Sequence, residues 1–302
     1  MSAIGVSDAL LSEGLACIAG EIDRAFDALL PVPDDARARL VEAMRYAAIG
    51  GGKRLRPLLL TAVADMYGVQ REAAVRAGIA IEAIHVYSLI HDDLPCMDND
   101  AMRHGKPTLH LAYDEATAVL AGDSLHAFAF EVLSDPATSA DPFTRIELVQ
   151  TLGHASGAQG MAGGQMMDLV AETSEFDLQT VTRLQQLKTG ALLGAAIEMG
   201  AILGRVAPEG RTHLRGYARD IGLAFQIADD LIDHEGDPEV AGKAVGKDAE
   251  AGKQTFVSLL GPDRARDQAR MLVNQAVGHL AQHGREADLL RAVARYIIER
   301  DH

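Results

Sequence analysis

The sequence predicts an all-α protein, built as a single large bundle of about ten helices. Apolar residues recur every three or four positions almost from end to end of the 302 residues, which is the period of a helix with one buried face. No sustained run alternates between apolar and polar residues, as a strand would. Hydrophobic residues make up 48% of the chain but aromatic residues only 4%, and such an aliphatic core favours packed helices over sandwiches.

Prolines and glycines mark where the predicted helices begin and end. Pro31 and Pro33 end the first apolar stripe, and three glycines at 50–52 stop the second. Pro57 suits the first turn of the third helix, because its missing N–H is not needed there. All ten prolines fall between the stripes or near their starts. The prolines and the apolar periodicity therefore agree on where the helices lie. The predicted helices cover 11–29, 35–49, 57–67, 72–90, 116–133, 142–157, 178–203, 212–232, 262–282 and 286–299.

The bulk properties favour one acidic domain. A chain of 302 residues is long enough for one large domain, and no repeat, low-complexity tract or linker divides it, so we predict a single domain over residues 1–302. With 28 basic and 43 acidic residues the net charge is −15. This acidity argues against nucleic acid and anionic membrane surfaces as partners.

Three features predict a cytoplasmic location. Cys17 and Cys96 are isolated thiols without metal or disulfide spacing, as expected in a reducing compartment. The first residues show no basic region followed by an apolar run. The apolar stretch 190–204 is shorter than about 18 residues and contains Glu198, so no stable membrane insertion is expected.

Asp92, Asp93 and Asp98 form the first of two aspartate clusters. A helical stripe runs up to Asp93 and Pro95 breaks it, so Asp98 must return through a turn. Adjacent carboxylates repel each other, and three together are costly without a cation. A solitary cluster of this kind is often an ordinary Asp-rich turn, but this chain carries a second one.

Asp229, Asp230 and Asp233 form the second cluster. Asp229 and Asp233 are four residues apart and share a helix face, and Gln226 lies one turn earlier. A solvated acidic helix end is the ordinary alternative, but negative charge near a helix C-terminus opposes the macrodipole. A few carboxylates hold Mg²⁺ when substrate phosphates complete its coordination. The two clusters therefore predict an enzyme that grips a diphosphate between two metal-bearing walls.

Basic residues beside glycines are the expected phosphate partners in so acidic a chain. Lys53 and Arg56 lie three apart at a predicted helix start, where backbone N–H groups also favour anions. Any one such residue alone is more often a surface charge. The segment 233–252 is rich in Gly, Asp and Lys and is predicted to be a mobile loop. The other basic residues of this group are Arg103, Lys106, Lys188, Lys243, Lys247 and Lys253.

The motifs resemble those of the trans-isoprenyl diphosphate synthases. His91-Asp-Asp-Leu-Pro-Cys-Met-Asp-Asn-Asp is similar to the first aspartate-rich motif of that family, and Gly222-Leu-Ala-Phe-Gln-Ile-Ala-Asp-Asp-Leu-Ile-Asp to the second. The resemblance spans nearly the whole chain and is most like the bacterial farnesyl diphosphate synthases, followed by geranylgeranyl synthases. Four more motifs match in the family's order: Gly51-Gly-Lys-Arg-Leu-Arg-Pro, Leu120-Ala-Gly-Asp, Gly163-Gly-Gln-Met-Met-Asp and Lys188-Thr-Gly.

The resemblance implies an isoprenoid synthase bundle around a deep central cavity, a homodimer, and three Mg²⁺ ions in each active site. Magnesium would be coordinated by Asp92, Asp98 and Asp229, with Asp93, Asp230 and Asp233 as further ligands or directly behind them. The allylic diphosphate would be held by Arg103, Lys188, Gln226, Lys243 and Lys253, and isopentenyl diphosphate by Lys53, Arg56, His85 and His104. Lys188, Thr189 and Gln226 would lie at the reacting atoms, and Gln165 and Asp168 would support the cavity wall.

The implied reaction is head-to-tail prenyl transfer. Isopentenyl diphosphate is condensed with dimethylallyl and then geranyl diphosphate to give farnesyl diphosphate. Magnesium-assisted ionisation gives an allylic cation, a pocket that excludes water protects it, and a proton is lost after the double bond attacks. Thr189 and Gln226 would point oxygen atoms at the cation. No side-chain nucleophile is needed, and the released diphosphate would accept the proton.

His104 departs from the family pattern, which usually has a second arginine at this position. Arginine offers a permanent charge and a bidentate fork, which histidine lacks. We therefore predict a higher KM for isopentenyl diphosphate than in a relative with two arginines, worsening above neutral pH. Asn99, where some relatives carry aspartate, is expected to be harmless because Asp98 keeps the metal position.

Product length is predicted to depend on Tyr87 and Ser88. They precede Asp92 by five and four residues, which places them about 6–7 Å below the metal along a helix. A bulky Tyr87 would form a floor under the growing chain, although an ordinary core position is the alternative. Tyr87 and the two-residue expansion of the first motif favour a fifteen-carbon product.

Rival functions remain open at this point. A geranylgeranyl diphosphate synthase has almost the same motifs. A terpene cyclase or head-to-head synthase fits less well, because the Lys53 and Arg56 pair suits a condensation of two diphosphates. Intact aspartates argue against a non-catalytic regulatory subunit of the same fold, and no EF-hand loop supports a structural Ca²⁺ protein.

Overall fold

The computed structural model describes residues 3–235 and 253–299. These residues form an all-α protein, as the apolar periodicity predicts. Short turns of other helix types are a π turn at Gln186–Gly190 and 3-10 turns at Pro208–Arg211 and Arg285–Ala287. The helices are α1 Ala3–Leu29, α2 Ala38–Ala48, α3 Leu55–Met66, α4 Arg71–Asp92, α5 Leu109–Ala112, α6 Glu115–Ser134, α7 Pro142–Ser156, α8 Met161–Ala171, α9 Leu178–Gln185, α10 Ala191–Leu203, α11 Thr212–Glu235, α12 Phe256–Leu260, α13 Pro262–His279 and α14 Asp288–Glu299.

A short β-hairpin, with strands of two residues each, follows the first aspartate cluster. Strand β1, Met102–Arg103, pairs antiparallel with β2, Lys106–Pro107. The turn residues His104 and Gly105 have φ of 50° and 74°, and positive φ at both positions is typical of a type I′ hairpin turn. The sequence gives no alternating pattern here, because strands of two residues are too short to alternate.

Three of the differences from the predicted helices affect the candidate site. The predicted helix 178–203 contains the π turn Gln186–Gly190 between α9 and α10. Helix α8 was not predicted, because its two glycines lower helix propensity. Helix α11 continues through Glu235, so the predicted loop 233–252 begins too early. The remaining part of that loop, 236–252, lies outside the described residues.

The chain divides into two compact units, one comprising 12–149 with 202–204 and the other 1–11, 150–201 and 205–302. The single domain expected over 1–302 stays a prediction. In the first unit α4 packs against α6 and α3. By length and composition α4 and α6 could each cross a membrane. Here they supply fully buried core residues, such as Ile84 and Leu125.

In the second unit α11 packs along α13 and also contacts α14. The Tyr217 side chain of α11 is fully buried, and its hydroxyl donates a 2.7 Å hydrogen bond to the backbone carbonyl of Leu290 in α14. This hydrogen bond satisfies the phenol inside the core, as a buried tyrosine requires. Helix α8 packs against the π turn, and this contact builds part of the candidate site.

Candidate active site

The first aspartate cluster is a compact turn at the end of α4. Asp93 is the C-cap residue, and the Asp98 N–H donates a 2.8 Å hydrogen bond to the Asp92 carbonyl. Asn99 has a φ of 52°, a left-handed conformation that asparagine tolerates well. The Asp92 side chain is half-buried and Asp98 is exposed. The local fold thus returns Asp98 to the helix end, as the motif predicts.

Asp93 is buried and forms an ion pair with Arg103 from the hairpin. The Arg103 Nε lies 3.1 and 3.3 Å from the two carboxylate oxygens, and Arg103 Nη2 also contacts Asp93. Burial raises the pKa of the Asp93 carboxyl above its ordinary value, and the Arg103 guanidinium opposes this rise. Asp100 adds a second carboxylate 3.4 Å from Arg103. Arg103 is therefore held beside the aspartate cluster.

Arg54 fixes the loop that carries Lys53 and Arg56. It is 3% exposed, has a φ of 53°, and donates hydrogen bonds of 2.8 Å to Glu82 and to Asp23. Two carboxylate partners satisfy the buried guanidinium. Sequence reasoning missed this structural arginine, because burial cannot be read from a Lys-Arg-Leu-Arg string. Lys53 beside it is exposed, and Arg56 is half-buried.

His85 and His104 join the same basic region. Burial lowers the pKa of His85 well below its ordinary value, and the neighbouring charge of Arg56 lowers it further. The His104 ring lies over the glycine loop, since a Cβ added to Gly51 would be 3.4 Å from its Cδ2 atom. The first unit therefore brings the hairpin to the loop of Lys53 and Arg56, which are predicted to bind one diphosphate with both histidines.

The pKa of His104 bears on the predicted pH dependence of isopentenyl diphosphate binding. Burial lowers this pKa from its ordinary value of 6.5, and the positive charges of Arg103 and Arg54 add to the effect. A histidine with a lowered pKa is already neutral at neutral pH. The higher KM expected from His104, and its dependence on pH, stay predictions.

Tyr87 is half-buried between two histidine rings. Its ring meets His91 and His126 edge to face, at centroid distances of 5.8 and 5.1 Å. Burial raises the pKa of the phenol, and the charge of Asp92 raises it further. His91 packs on Gly122, where an added Cβ would lie 2.1 Å from the ring. This contact explains the glycine of the Leu-Ala-Gly-Asp motif on α6.

Ser88, the second residue predicted to affect product length, faces its own helix. Its hydroxyl donates a 2.8 Å hydrogen bond to the carbonyl of His85, three residues earlier. This bond leaves the side chain half-buried and close to the helix backbone. Tyr87, with its bulky aromatic ring, is the better candidate for the predicted floor.

The π turn of the second unit carries Lys188 and Thr189. Helix α8 approaches it so closely that a Cβ added to Gly164 would lie 2.1 Å from the Lys188 backbone nitrogen and 2.5 Å from its Cα. Only glycine permits this backbone contact. π turns inside helices are frequent at functional sites, and this one widens the helix where the Lys-Thr-Gly motif lies.

Asp168 on α8 binds two lysines. Its Oδ2 atom accepts hydrogen bonds from the ammonium groups of Lys188 at 2.8 Å and Lys253 at 2.9 Å. Burial by itself would raise the pKa of Asp168, but the two lysines outweigh it and the pKa is lowered. Asp168 therefore stays ionised and fixes both lysines. On the same helix, Gln165 is half-buried and its Nε2 atom has no hydrogen-bond partner among the described residues.

A hydrogen-bond chain leads from the π turn to the second aspartate cluster. The Thr189 hydroxyl donates to the Gln226 side-chain oxygen at 3.0 Å, and the Gln226 amide donates to Asp230 at 3.4 Å. The other Asp230 oxygen accepts the Phe256 N–H at 2.8 Å. Asp230 is thus buried and held by protein groups. Asp229 and Asp233 are half-buried on α11, one turn apart.

The carboxylates fit Mg²⁺ by the chemistry of their donor atoms. Among residues 3–235 and 253–299, no three His, Cys, Asp or Glu side chains converge as a ready-made metal cage. Magnesium rarely uses such a cage, because it keeps waters and takes substrate phosphates as ligands around one or two carboxylates. Lys243 and Lys247 lie outside the described residues.

Comparison with known proteins agrees with the fold and the motifs. The family described as polyprenyl synthetase matches residues 37–296. Farnesyl diphosphate synthase of Escherichia coli (strain K12) is 44% identical over 269 residues, covering 87% of this chain and 89% of that protein. The chloroplastic geranylgeranyl pyrophosphate synthase of Capsicum annuum is 43% identical over 263 residues, covering 86% of this chain and 71% of that protein.

A solved structure extends the match to three dimensions. The FPP/GFPP synthase from Zymomonas mobilis, in its apo form, superposes with a TM-score of 0.88 at 59% identity, covering 95% of this chain and 98% of that one. The chain therefore belongs to the polyprenyl synthetase family. The resemblance predicted from the six motifs is confirmed.

Proposed function

We propose that this chain is a prenyltransferase that condenses isopentenyl diphosphate with dimethylallyl and then geranyl diphosphate to give farnesyl diphosphate. The observation that carries the proposal is the match to farnesyl diphosphate synthases along nearly the whole chain, with both aspartate clusters complete. The residues described above supply the chemistry of the proposal, since a fold of this kind can host several activities.

The allylic diphosphate is assigned to the two aspartate clusters. Asp92, Asp98 and Asp229 would hold Mg²⁺, with Asp93, Asp230 and Asp233 as further ligands or directly behind them. Bound Mg²⁺ would supply charge neutralisation on the leaving diphosphate. The number of ions, three by family resemblance, belongs to the proposal. The diphosphate itself would be held by Arg103, Lys188, Gln226, Lys243 and Lys253.

Lys188 and Lys253 are supported in this role by their shared partner. Asp168 holds their two ammonium groups on a single oxygen atom. Two positive charges are therefore fixed close together before any substrate binds. Such a pre-organised pair suits a diphosphate, which carries several negative charges. Gln165 lies on the same helix as Asp168, α8, and is assigned to the same wall of the site.

Isopentenyl diphosphate is assigned to the basic region of the first unit. Lys53, Arg56, His85 and His104 would bind its diphosphate without metal. His85 is neutral there, since its pKa is well below its ordinary value, and it would donate a hydrogen bond rather than a charge. The permanent charges are then those of Lys53 and Arg56.

The chain's own residues would protect and orient the allylic cation. The Thr189 hydroxyl already donates its proton to Gln226, so the lone pairs of its oxygen remain available to face positive charge. The expected central cavity would exclude water, which would otherwise capture the cation. The released diphosphate would take the proton lost after condensation.

Product length is the finer part of the proposal, since the Capsicum annuum relative is named for a longer product at nearly the same identity. Tyr87 favours the fifteen-carbon product, because its ring is braced by His91 and His126 and cannot swing aside freely. A geranylgeranyl diphosphate synthase is the second candidate function. We also propose, by resemblance, a homodimer in the cytoplasm.

Chain-length analysis tests this proposal. Purified protein is incubated with dimethylallyl and isopentenyl diphosphates and Mg²⁺, and the dephosphorylated products are separated by length. The proposal predicts mainly fifteen-carbon alcohol. A twenty-carbon product would establish the second candidate, and no condensation at all would refute both.

A further inference from the structure

Two histidine rings face each other at the opposite end of α11 from the second aspartate cluster. His213 lies in the first turn of α11, and His283 lies in the turn after α13. Their Nε2 atoms are 2.6 Å apart, and the ring centroids are 4.7 Å apart. Both rings are half-buried.

The opposite ring nitrogens have partners of their own. The His283 Nδ1 lies 3.8 Å from the Glu286 carboxylate. The His213 ring donates a hydrogen bond to the Gly210 backbone, and we assign this bond to Nδ1 because Nε2 faces His283. A neutral imidazole carries one N–H, so a hydrogen on each Nδ1 leaves a lone pair on each Nε2. In that tautomer the two Nε2 lone pairs point at one another and could bind a shared cation, whereas in the other tautomer one Nε2–H donates to the facing ring.

The backbone around both rings is firmly held. Arg291 donates hydrogen bonds to the carbonyls of Leu280 at 2.8 Å, His283 at 2.6 Å and Gly284 at 2.8 Å. His213 follows Arg211, which is 4% exposed and pairs with Glu198 at 3.2 Å. Ligands on a rigid backbone form a precise site.

We propose that His213 and His283 form a binding site for a borderline divalent transition metal such as Zn²⁺, with water completing its coordination. Zinc binds imidazole nitrogen at about 2.0–2.1 Å, so two such nitrogens on a tetrahedral ion are about 3.3 Å apart. Small rotations of the two rings reach this separation. Glu286 and Gly210 occupy the outer positions that orient metal-binding histidines.

The donor atoms separate this site from the aspartate clusters. Nitrogen ligands favour zinc, nickel and copper over Mg²⁺, which prefers oxygen. His279 is nearby, but its Nε2 lies 3.1 Å from Asp220, so it is engaged elsewhere. A bound ion would link the start of α11 to the turn before α14. Because it binds the folded protein, it would raise the melting temperature.

Zinc titration of the full chain by calorimetry, in excess Mg²⁺ to occupy oxygen sites, tests the proposal. We expect one Zn²⁺ per chain and a higher Tm with ZnCl₂. His213→Asn and His283→Asn keep a donor where Nδ1 lies but remove Nε2, and each should weaken zinc binding by at least about tenfold. His154→Ala, at an exposed histidine of α7, is the matched control and should bind as the wild type does.

Two results overturn the proposal. One is the absence of zinc binding when Mg²⁺ is present. The other is zinc affinity that survives both asparagine substitutions in protein whose circular dichroism shows an intact fold. If one variant fails to fold, the other still decides, because either histidine alone is predicted to be necessary.

Discussion

Gly164 is the position where a single methyl group should do most damage to the site. A Cβ at residue 164 would lie 2.1 Å from the backbone nitrogen of Lys188 and 2.5 Å from its Cα. Ordinary van der Waals contact begins near 3.4 Å, so α8 and the π turn would have to separate by more than 1 Å. Both sides of the contact are backbone, and no side chain can rotate to relieve it.

Gly164→Ala should therefore lower the free energy of unfolding by about 3 kcal/mol, the upper end of the usual cost of overpacking. The same shift would move Lys188 and Thr189, so the KM for the allylic substrate should rise. Gly194→Ala in α10 is the matched control, because an added Cβ there meets nothing within 4 Å. Replacing a helix-interior glycine by alanine normally raises the free energy of unfolding by about 0.5–1 kcal/mol, so this control should be slightly more stable than the wild type.

Urea unfolding followed by circular dichroism measures both variants, and steady-state assays with dimethylallyl diphosphate measure KM. If Gly164→Ala unfolds within about 0.5 kcal/mol of the wild type, a change expected of an uneventful surface substitution, the close approach of α8 to the π turn is wrong. If Gly194→Ala is as unstable as Gly164→Ala, the clash with the Lys188 backbone cannot be the reason for the loss of stability.

Three further predictions concern single side chains. Tyr87→Ala should lengthen the product by removing the floor, and an unchanged chain-length profile would count against it. His104→Arg should lower the KM for isopentenyl diphosphate at pH 8.5, where histidine is neutral, and an unchanged KM there contradicts the role of this residue. Asp168→Asn should destabilise the protein at neutral pH, because Lys188 and Lys253 would repel each other. The lowered pKa of Asp168 makes its contribution present above its ordinary value of 3.8 and lost as the pH falls further, so urea titrations should show variant and wild type converging in acid.

Helical periodicity predicted most of the helices because their apolar stripes are long. The helix bearing the first cluster was expected over 72–90 and is found at Arg71–Asp92. Helix α8 was not predicted because Gly163 and Gly164 lower the local helix propensity. Gly164 is nevertheless needed there, because only glycine fits against the Lys188 backbone. Tertiary contact here outweighs propensity, and the sequence contains no local sign of it.

The sequence predicted the charged residues of the site, but it did not predict most of the ion pairs that hold them. The spacing of Asp229 and Asp233 on one helix face follows from geometry and is observed. The ion pair of Asp93 with Arg103 joins residues ten apart through a hairpin, which the His-Gly turn alone could have signalled. The buried pairing of Arg54 with Glu82 depends on the packing of α3 and α4, and periodicity cannot specify such a pair.

We propose that both aspartate clusters act through magnesium on one allylic diphosphate. Calorimetry measures this with an unreactive thio analogue of dimethylallyl diphosphate, in Mg²⁺ and in chelator, for the wild type, Asp92→Ala and Asp229→Ala. We expect one analogue bound per chain in the wild type, no tight binding with chelator, and a large loss of affinity in both variants. Wild-type affinity in either variant, or tight binding without magnesium, would show that the clusters do not act in this way.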